Sequence, residues 1–320
     1  MRLRSHYQLT RLAVSLGAGS SVTRCLLRLM CRQHRVRLGF SDGAIDVHRN
    51  GRVIRISTKH FVYAPDMARR FDEYFGQVVP EERDGLVWVD YSYPHLQRYA
   101  GTNLEFEIAS FPEETEAISD YSRWYRPQLG DTVFDVGAYC GVSAYHLSKQ
   151  VGPTGKVYAF EPDRGNYSLL QRNVERHKLS NVVPLRCAVA GSTGSAKFCS
   201  EGALGSCLSR HISRATVGHV EEVPTITLQD ACQRYGTPAF VKMDIEGSEV
   251  EVLSSAREFL KQHSIHFVLD TGHRIDGALS SPKVEQLFRE CGYVAESSSE
   301  SGFMATWARR VDSLPLRPAS

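Results

Sequence analysis

The stretch T-V-F-D-V-G-A-Y-C-G, Thr132 to Gly141, restricts this chain more than any other. An apolar, β-branched run reaches Asp135, a glycine follows within two residues, and a second stands four further on, ahead of a helical pattern. The pattern predicts a strand, a tight turn and a helix. Gly137 and Gly141 suit a turn that needs unusual φ, or one that brings a ligand against backbone with no Cβ in the way. The helix that follows offers unpaired N–H groups and a partial positive charge, which favour a ligand carboxylate. Asp135, at the carboxyl end of the strand, is expected to face the same crevice.

A second strand, K-V-Y-A-F from Lys156 to Phe160, ends in Glu161. An acid there, about 20 residues beyond the turn, is placed to accept hydrogen bonds from ribose hydroxyls. The expected ligand is therefore a nucleoside. The G-x-x-x-G spacing departs from the dinucleotide fingerprint G-x-G-x-x-G, and an aspartate precedes the first glycine. Both features weigh against a nicotinamide cofactor and point to S-adenosyl-L-methionine.

With L-G-D-T-V-F-D-V-G-A-Y-C-G from Leu129, V-Y-A-F-E-P-D from Val157, Asn173 in the next helix and V-K-M-D-I-E-G-S-E from Val241, the chain resembles the FkbM-type S-adenosylmethionine-dependent methyltransferases. The likeness runs from Pro127 to Trp307. It implies an α/β fold with a Rossmann-like class I methyltransferase sheet, mostly parallel with an antiparallel last strand, and S-adenosyl-L-methionine as cofactor. It sets Asp135, Gly137, Ala138, Tyr139, Gly141, Glu161 and Pro162 against that cofactor, and Ala188 beside the adenine. Tyr139 departs from the family, which usually has asparagine after Gly-Ala.

With 320 residues, 42% hydrophobic and 23% charged, the chain suits a catalytic domain with an appendage. A net charge of +2 makes no demand for a polyanion, so no nucleic-acid partner is expected. Charge is uneven, however: Met1 to Phe40 holds eight arginines and no acid, which reads as a solvated basic arm. The eight cysteines lack the spacing of a zinc site or a redox motif and read as reduced thiols. Leu12 to Leu16 is too short an apolar core for a secretion signal, and no run has the length of a membrane span. A cytoplasmic protein is expected.

Residues 41–111 read as a small α+β module with a structural role. Asn50-Gly51 splits Ile45 to Ser57 into a hairpin, Asp66 to Phe75 reads as a helix, and Gly85 to Tyr91 and Leu104 to Ile108 as strands. Residues 112–310 then form the methyltransferase domain, and residues 311–320 a tail. Pro112 to Tyr125 reads as a helix with acids in its first turn. From Asp131 strands and helices alternate with short connections, as in a parallel sheet. A third strand is expected at Asn181 to Ala190, a fourth at Phe240 to Asp244, a fifth at Ile265 to Asp270, and two antiparallel ones at Tyr293 to Ala295 and Phe303 to Ala308. Gly202 to Val220 reads as a loop beside the site, with a role in substrate contact.

Ligands of open α/β sheets sit outside the carboxyl ends of the strands. That rule brings Asp244, with Glu246 close behind, to where the methyl group should be, and His273 lies just past the fifth strand. Glu249, with Ser248 as N-cap, fits a structural place in the first turn of a helix. Asp244 or His273 is the candidate general base for a hydroxyl acceptor, a role that adds about 10² to 10⁴ in rate; Glu246 is the third catalytic candidate. Asp244, Glu246 and Asp270 are the acids a hard cation would gather, but no ligand spacing demands one, and no metal is expected. The resulting expectation is O-methylation of a sugar, glycan or polyketide-type hydroxyl, the substrate classes the resemblance implies. N- or C-methylation of a small molecule and a nucleoside-binding module without chemistry are the alternatives.

Overall fold

Asn50 and Gly51 take φ of 50° and 76°, the two-residue turn whose twist matches that of a hairpin. The strands it joins belong to the first of two units into which the chain divides, residues 1–112 with 201–204 and 214–219, the remainder forming the second. The computed structural model describes residues 9, 12–113, 121–202, 205–208, 218–275, 277–300 and 303–311. Most of the expected helix at Pro112 to Tyr125, most of the expected loop at Gly202 to Val220, and the tail beyond Val311 lie outside them.

In the first unit, β1 (Arg37–Ser41), β2 (Ala44–Arg49), β3 (Arg52–Ser57), β4 (Glu81–Arg83) and β5 (Leu86–Tyr91) form one sheet in the order β1-β2-β3-β5-β4. Helices α1 (Ser21–Cys31), α2 (Ala64–Arg69) and α3 (Phe71–Gly76) accompany it. The helix expected over Asp66 to Phe75 breaks at Arg70, whose φ of −104° and ψ of 34° leave the helical region. The basic segment differs from the solvated arm its arginines suggested. Leu27 and Cys31 of α1, with Ala13, are buried in one core with Ile45, Ile54 and Met67, while the guanidinium groups of Arg24 and Arg28 lie over Phe40. Apolar residues three and four apart gave α1 a face to bury, and the charge count conceals that face.

The second unit contains β8 (Thr132–Val136), β9 (Lys156–Phe160), β10 (Val182–Leu185), β15 (Phe240–Met243), β16 (His266–Asp270), β19 (Tyr293–Ser298) and β20 (Ala305–Arg310), after the hairpin β6 (His95–Arg98) and β7 (Glu105–Ile108) of the first. The seven form a sheet in the order β10-β9-β8-β15-β16-β20-β19, parallel from β10 to β16, with β20 antiparallel to both neighbours. This is the Rossmann-like methyltransferase topology expected. Helices α4 (Val142–Val151), α5 (Arg164–Arg176), α6 (Leu228–Tyr235), α7 (Glu249–Ser255), α8 (Arg257–Leu260) and α9 (Ser281–Glu290) connect the strands. Alternation sends Phe134, Val136, Val241 and Met243 into a core on one face and Val133, Val157, Phe240 and Trp307 into a core on the other. Among the described residues no helix is long and apolar enough to cross a membrane.

The third strand is shorter than expected. At Cys187 the N–H turns back onto the carbonyl of Leu185, so β10 ends, and β11 (Ala188–Val189) joins β14 (His219–Ile226), β12 (Gly194–Ser200) and β13 (Cys207–Leu208) in a separate four-stranded sheet. The expected N-cap bond of Ser248 is also missing: its hydroxyl has no hydrogen-bond partner among the described residues, and the α7 entry is held instead by Glu249, which accepts the Ile245 N–H at 3.0 Å.

The first glycine of the turn is fixed by strand packing. Gly137 has φ of 80°, and a Cβ there would stand 1.8 Å from the carbonyl oxygen of Asp244. At Gly141, with φ of 90°, the obstacle is the tip of the Leu170 side chain, 2.5 Å away, which can rotate. We predict that Gly137→Ala destabilises the fold by about 4 kcal/mol or more, whereas Gly141→Ala costs about 1–2 kcal/mol. Urea unfolding of both variants checks this; a Gly137→Ala protein as stable as wild type would contradict the close approach of β8 and β15.

Candidate active site

Asp135 and Lys242 are register partners on β8 and β15 and point to the same face of the sheet. Both are fully buried, with Nζ 3.4 Å from Asp135 Oδ1. Lys242 also donates to the carbonyl oxygen of Gly137 at 2.7 Å, and Ser143 in the first turn of α4 donates to Asp135 Oδ2 at 2.7 Å. Burial raises the Asp135 pKa, opposed by Lys242 and Ser143. Burial alone would lower that of Lys242, but Asp135 and other nearby anions outweigh it and hold the pKa above the usual range. Asp135 therefore differs from its expected place: it lies under the glycine turn as the anchor of Lys242 and does not face the crevice. Glu113 completes the network, accepting the Val142 N–H at the start of α4 at 3.3 Å.

The turn itself is held from the β9 side. The N–H groups of Gly137 and Ala138 both donate to the carbonyl of Phe160 at 3.0 Å, and Asn173 of α5 donates to the carbonyl of Cys140 at 2.8 Å. Glu161, only 5% exposed, accepts the Tyr139 N–H on one oxygen and the Asp163 N–H on the other, each at 2.9 Å. It thus ties the two βα turns together, and burial and Asp163 push its pKa up to about 8 against those two donors. Pro162 is buried between them, and Asp163 caps α5 through the N–H groups of Gly165 and Asn166. Tyr139 is buried and has φ of 47°, a left-handed conformation that asparagine tolerates and a bulky side chain resists. Ala188 is buried in β11, paired with Thr225.

Beyond the tips of β15 and β16 stand Asp244, Glu246, Asp270 and His273. Parallel pairing of Met243 with Leu269 makes Asp244 and Asp270 neighbours at the ends of their strands. Burial, then Asp270, push the Asp244 pKa up to about 7, while burial raises that of Asp270. His273 Nε2 lies 3.4 Å from Glu246 Oε2, and Nδ1 lies 3.5 Å from Oε1 of the wholly buried Glu249. Burial alone would lower the His273 pKa, but Glu249 and Glu246 outweigh it and hold it well above the ordinary imidazole range. Glu246 has φ of 55°, so both loops at this end of the sheet contain a strained non-glycine residue. One ligand atom each from Asp244, Asp270 and His273 lie within 4.8 Å of one another, the arrangement of a cation site.

The structure brings Asp244, Glu246, Asp270 and His273 together and adds Glu249 to them. The sequence reading overlooked Lys242, Ser143 and Glu113. Lys242 had a signal: a lone cation in one buried strand and a lone anion, Asp135, in another must pair to be buried.

These elements reproduce an adenosyl-binding crevice: a glycine turn entering a helix, an acid at the tip of the next strand and further acids at the adjacent tips. A model of the methyltransferase FkbM domain matches residues 135–295, half of the chain. The chain belongs to the FkbM methyltransferase family. Its cofactor is S-adenosyl-L-methionine. The chain is similar to the hexuronic acid methyltransferase AglP of Haloferax volcanii, with 30% identity over 149 residues, 43% of this chain and 54% of that protein. It is also similar to the tRNA (adenine(58)-N(1))-methyltransferase catalytic subunit TRM61 of Yarrowia lipolytica, with 27% identity over 121 residues, 36% of this chain and 28% of that protein. This FkbM-family chain thus spans about half or less of the curated relatives it matches. A crystal structure of methyltransferase FkbM from Methylobacillus flagellatus KT aligns with a TM-score of 0.45 and 16% identity, covering 91% of this chain and 60% of that one.

Glu113 gives the network a pH dependence. Burial pushes its pKa up to about 7, with Lys242 opposing and Asp135 adding to the effect. A carboxyl raised on folding stabilises fully below its unfolded pKa, and that contribution is lost as pH rises through the folded value. Between pH 5 and pH 8 the wild type is therefore expected to lose about 2 kcal/mol relative to Glu113→Gln. Thermal melts of both proteins across that range measure it; a constant difference would contradict the assignment.

Proposed function

We propose that the protein transfers the methyl group of S-adenosyl-L-methionine to a hydroxyl of a sugar, on a uronic-acid-containing glycan or a smaller saccharide. The observation that carries this reading is the contact between Gly137 and the Asp244 carbonyl, where no Cβ fits. It makes the cofactor turn and the acidic rim one continuous wall, so a group leaving the cofactor emerges beside Asp244. The saccharide class rests on the similarity to the hexuronic acid methyltransferase.

Bound, the cofactor supplies an electrophilic methyl carbon on a sulfonium. The chain's own residues do the rest. Glu161 offers carboxylate lone pairs, beyond its two backbone donors, to the ribose hydroxyls, and Lys242 and Asp135 keep the turn in shape beneath. Asp244 and its neighbours hold the acceptor oxygen in line with the sulfur–carbon bond, a positioning worth roughly 7–11 kcal/mol of barrier, and promote loss of its proton. His273 turns both ring nitrogens to carboxylates, Nε2 to Glu246 and Nδ1 to Glu249, which leaves that proton to an acid of the rim.

Incubation with methyl-labelled S-adenosyl-L-methionine and a panel of uronides, neutral hexosides and amino sugars tests the proposal. The expected product is an alkali-stable methyl ether of a uronide or hexoside. Asp244→Asn is expected to lower turnover at least 100-fold with cofactor affinity within about threefold of wild type. An alkali-labile ester, methylation on nitrogen only, or unchanged turnover in the variant would each contradict it.

A further inference from the structure

We propose that Asp244, Asp270 and His273 bind a divalent cation of the Mn²⁺ and Mg²⁺ class, which holds the acceptor oxygen during methyl transfer. The second half of this proposal rests on the function proposed above; the first does not.

Geometry comes first. A six-coordinate ion with bonds of about 2.1 Å separates its ligand atoms by about 3–4.2 Å. The three ligand atoms here already lie within 4.8 Å of one another, close enough for side-chain rotation to bring them onto one ion. Two come from adjacent strand tips on the rigid sheet, β15 and β16, and the third from three residues beyond β16.

The histidine supplies a second, independent observation. Its side chain is nine-tenths buried, and Nδ1, which has no hydrogen-bond partner among the described residues, faces the Glu249 carboxylate at 3.5 Å. Glu249 is itself anchored by the Ile245 N–H. A fixed carboxylate behind an imidazole sets the ring's orientation and raises its basicity, the usual support of a metal-bound histidine. The helix entry of α7 is thus built to aim His273 back at the strand tips.

Charge points the same way. Asp244, Glu246, Glu249 and Asp270 crowd one rim, and the nearby buried cation, Lys242, is engaged by Asp135 and the Gly137 carbonyl. Both ring nitrogens of His273 face carboxylates of this rim, Glu246 at 3.4 Å and Glu249 at 3.5 Å. Two carboxylates and one imidazole suit a hard to borderline divalent ion, with positions left for waters or for acceptor oxygens. A uronate acceptor also carries negative charge, which the acids of the rim would repel and a bound dication would attract.

In the transfer step, the acceptor hydroxyl passes its proton to the Glu246 carboxylate, and a cation held by Asp244, Asp270 and His273 would offset the negative charge left on that oxygen. The oxygen then forms its bond to the methyl carbon as the carbon–sulfur bond breaks, and the electron pair stays on sulfur in neutral S-adenosylhomocysteine.

Titration of the full chain with Mn²⁺, followed by loss of the free-ion paramagnetic resonance signal, tests the site without any turnover. One saturable site per chain is expected, weakened at least tenfold by Asp270→Asn and about tenfold by Glu249→Gln, and unchanged by the surface substitution Glu285→Gln. Asparagine at 270 keeps the oxygen that accepts the Gly272 N–H, and thermal melts of each variant separate lost binding from lost folding. No saturable binding to folded wild type, or equal affinity in all variants, overturns the site. Turnover abolished by chelation and restored by Mn²⁺ or Mg²⁺ supports the role in holding the acceptor; turnover indifferent to chelation overturns that role even where Mn²⁺ binds.

Discussion

The buried pair of Lys242 and Asp135 is the interaction on which the site depends. Taking two charges out of water costs several kcal/mol each, and removing one partner of such a pair typically costs about 3–5 kcal/mol because the other is left uncompensated. Here the cost is offset by further bonds: Lys242 reaches the Gly137 carbonyl, and Asp135 accepts from Ser143. The pair therefore joins two central strands, the glycine turn and the first turn of α4 through buried polar contacts. An apolar pair of similar volume would fill the same space without fixing the turn's carbonyl.

Above this anchor the backbone is held in conformations that side chains resist. Tyr139 and Glu246 both have positive φ, on the loops after β8 and β15. Each loop is braced by a buried carboxylate accepting main-chain N–H groups, Glu161 for the first and Glu249 for the second. Strain of order 1–3 kcal/mol per residue persists only where the surroundings determine the geometry. The two carboxylates are such surroundings, and the second also faces the one histidine of the rim.

Much of this was legible in the residues. Asn50-Gly51 fixed the hairpin because few dipeptides take two successive positive φ values, and the apolar runs ending at Asp135, Phe160, Met243 and Asp270 gave the parallel strands. Legibility failed where a residue's partner is distant in the chain. Lys242 stood inside a motif already singled out, but only the register of β15 on β8 shows that it meets Asp135. Glu249 read as an ordinary first-turn acid, since its distance to His273 depends on how β16 ends. The burial of one face of α1 was not legible among the eight arginines before Phe40, because net charge carries no information about which side of a helix is apolar. The third strand ends at Leu185, one residue after Pro184, a breaker inside the expected run whose effect the alternation of apolar residues outweighed in the reading.

The proposed chemistry requires the cofactor to lie in the crevice between the glycine turn and Glu161. Calorimetric titration with S-adenosylhomocysteine of the wild type beside Glu161→Ala tests it most directly. One equivalent is expected to bind the wild type, and the variant is expected to bind at least tenfold more weakly, as follows from losing two buried hydrogen bonds worth about 1 kcal/mol each. Equal affinity in the two folded proteins, or no binding to the wild type, would contradict it.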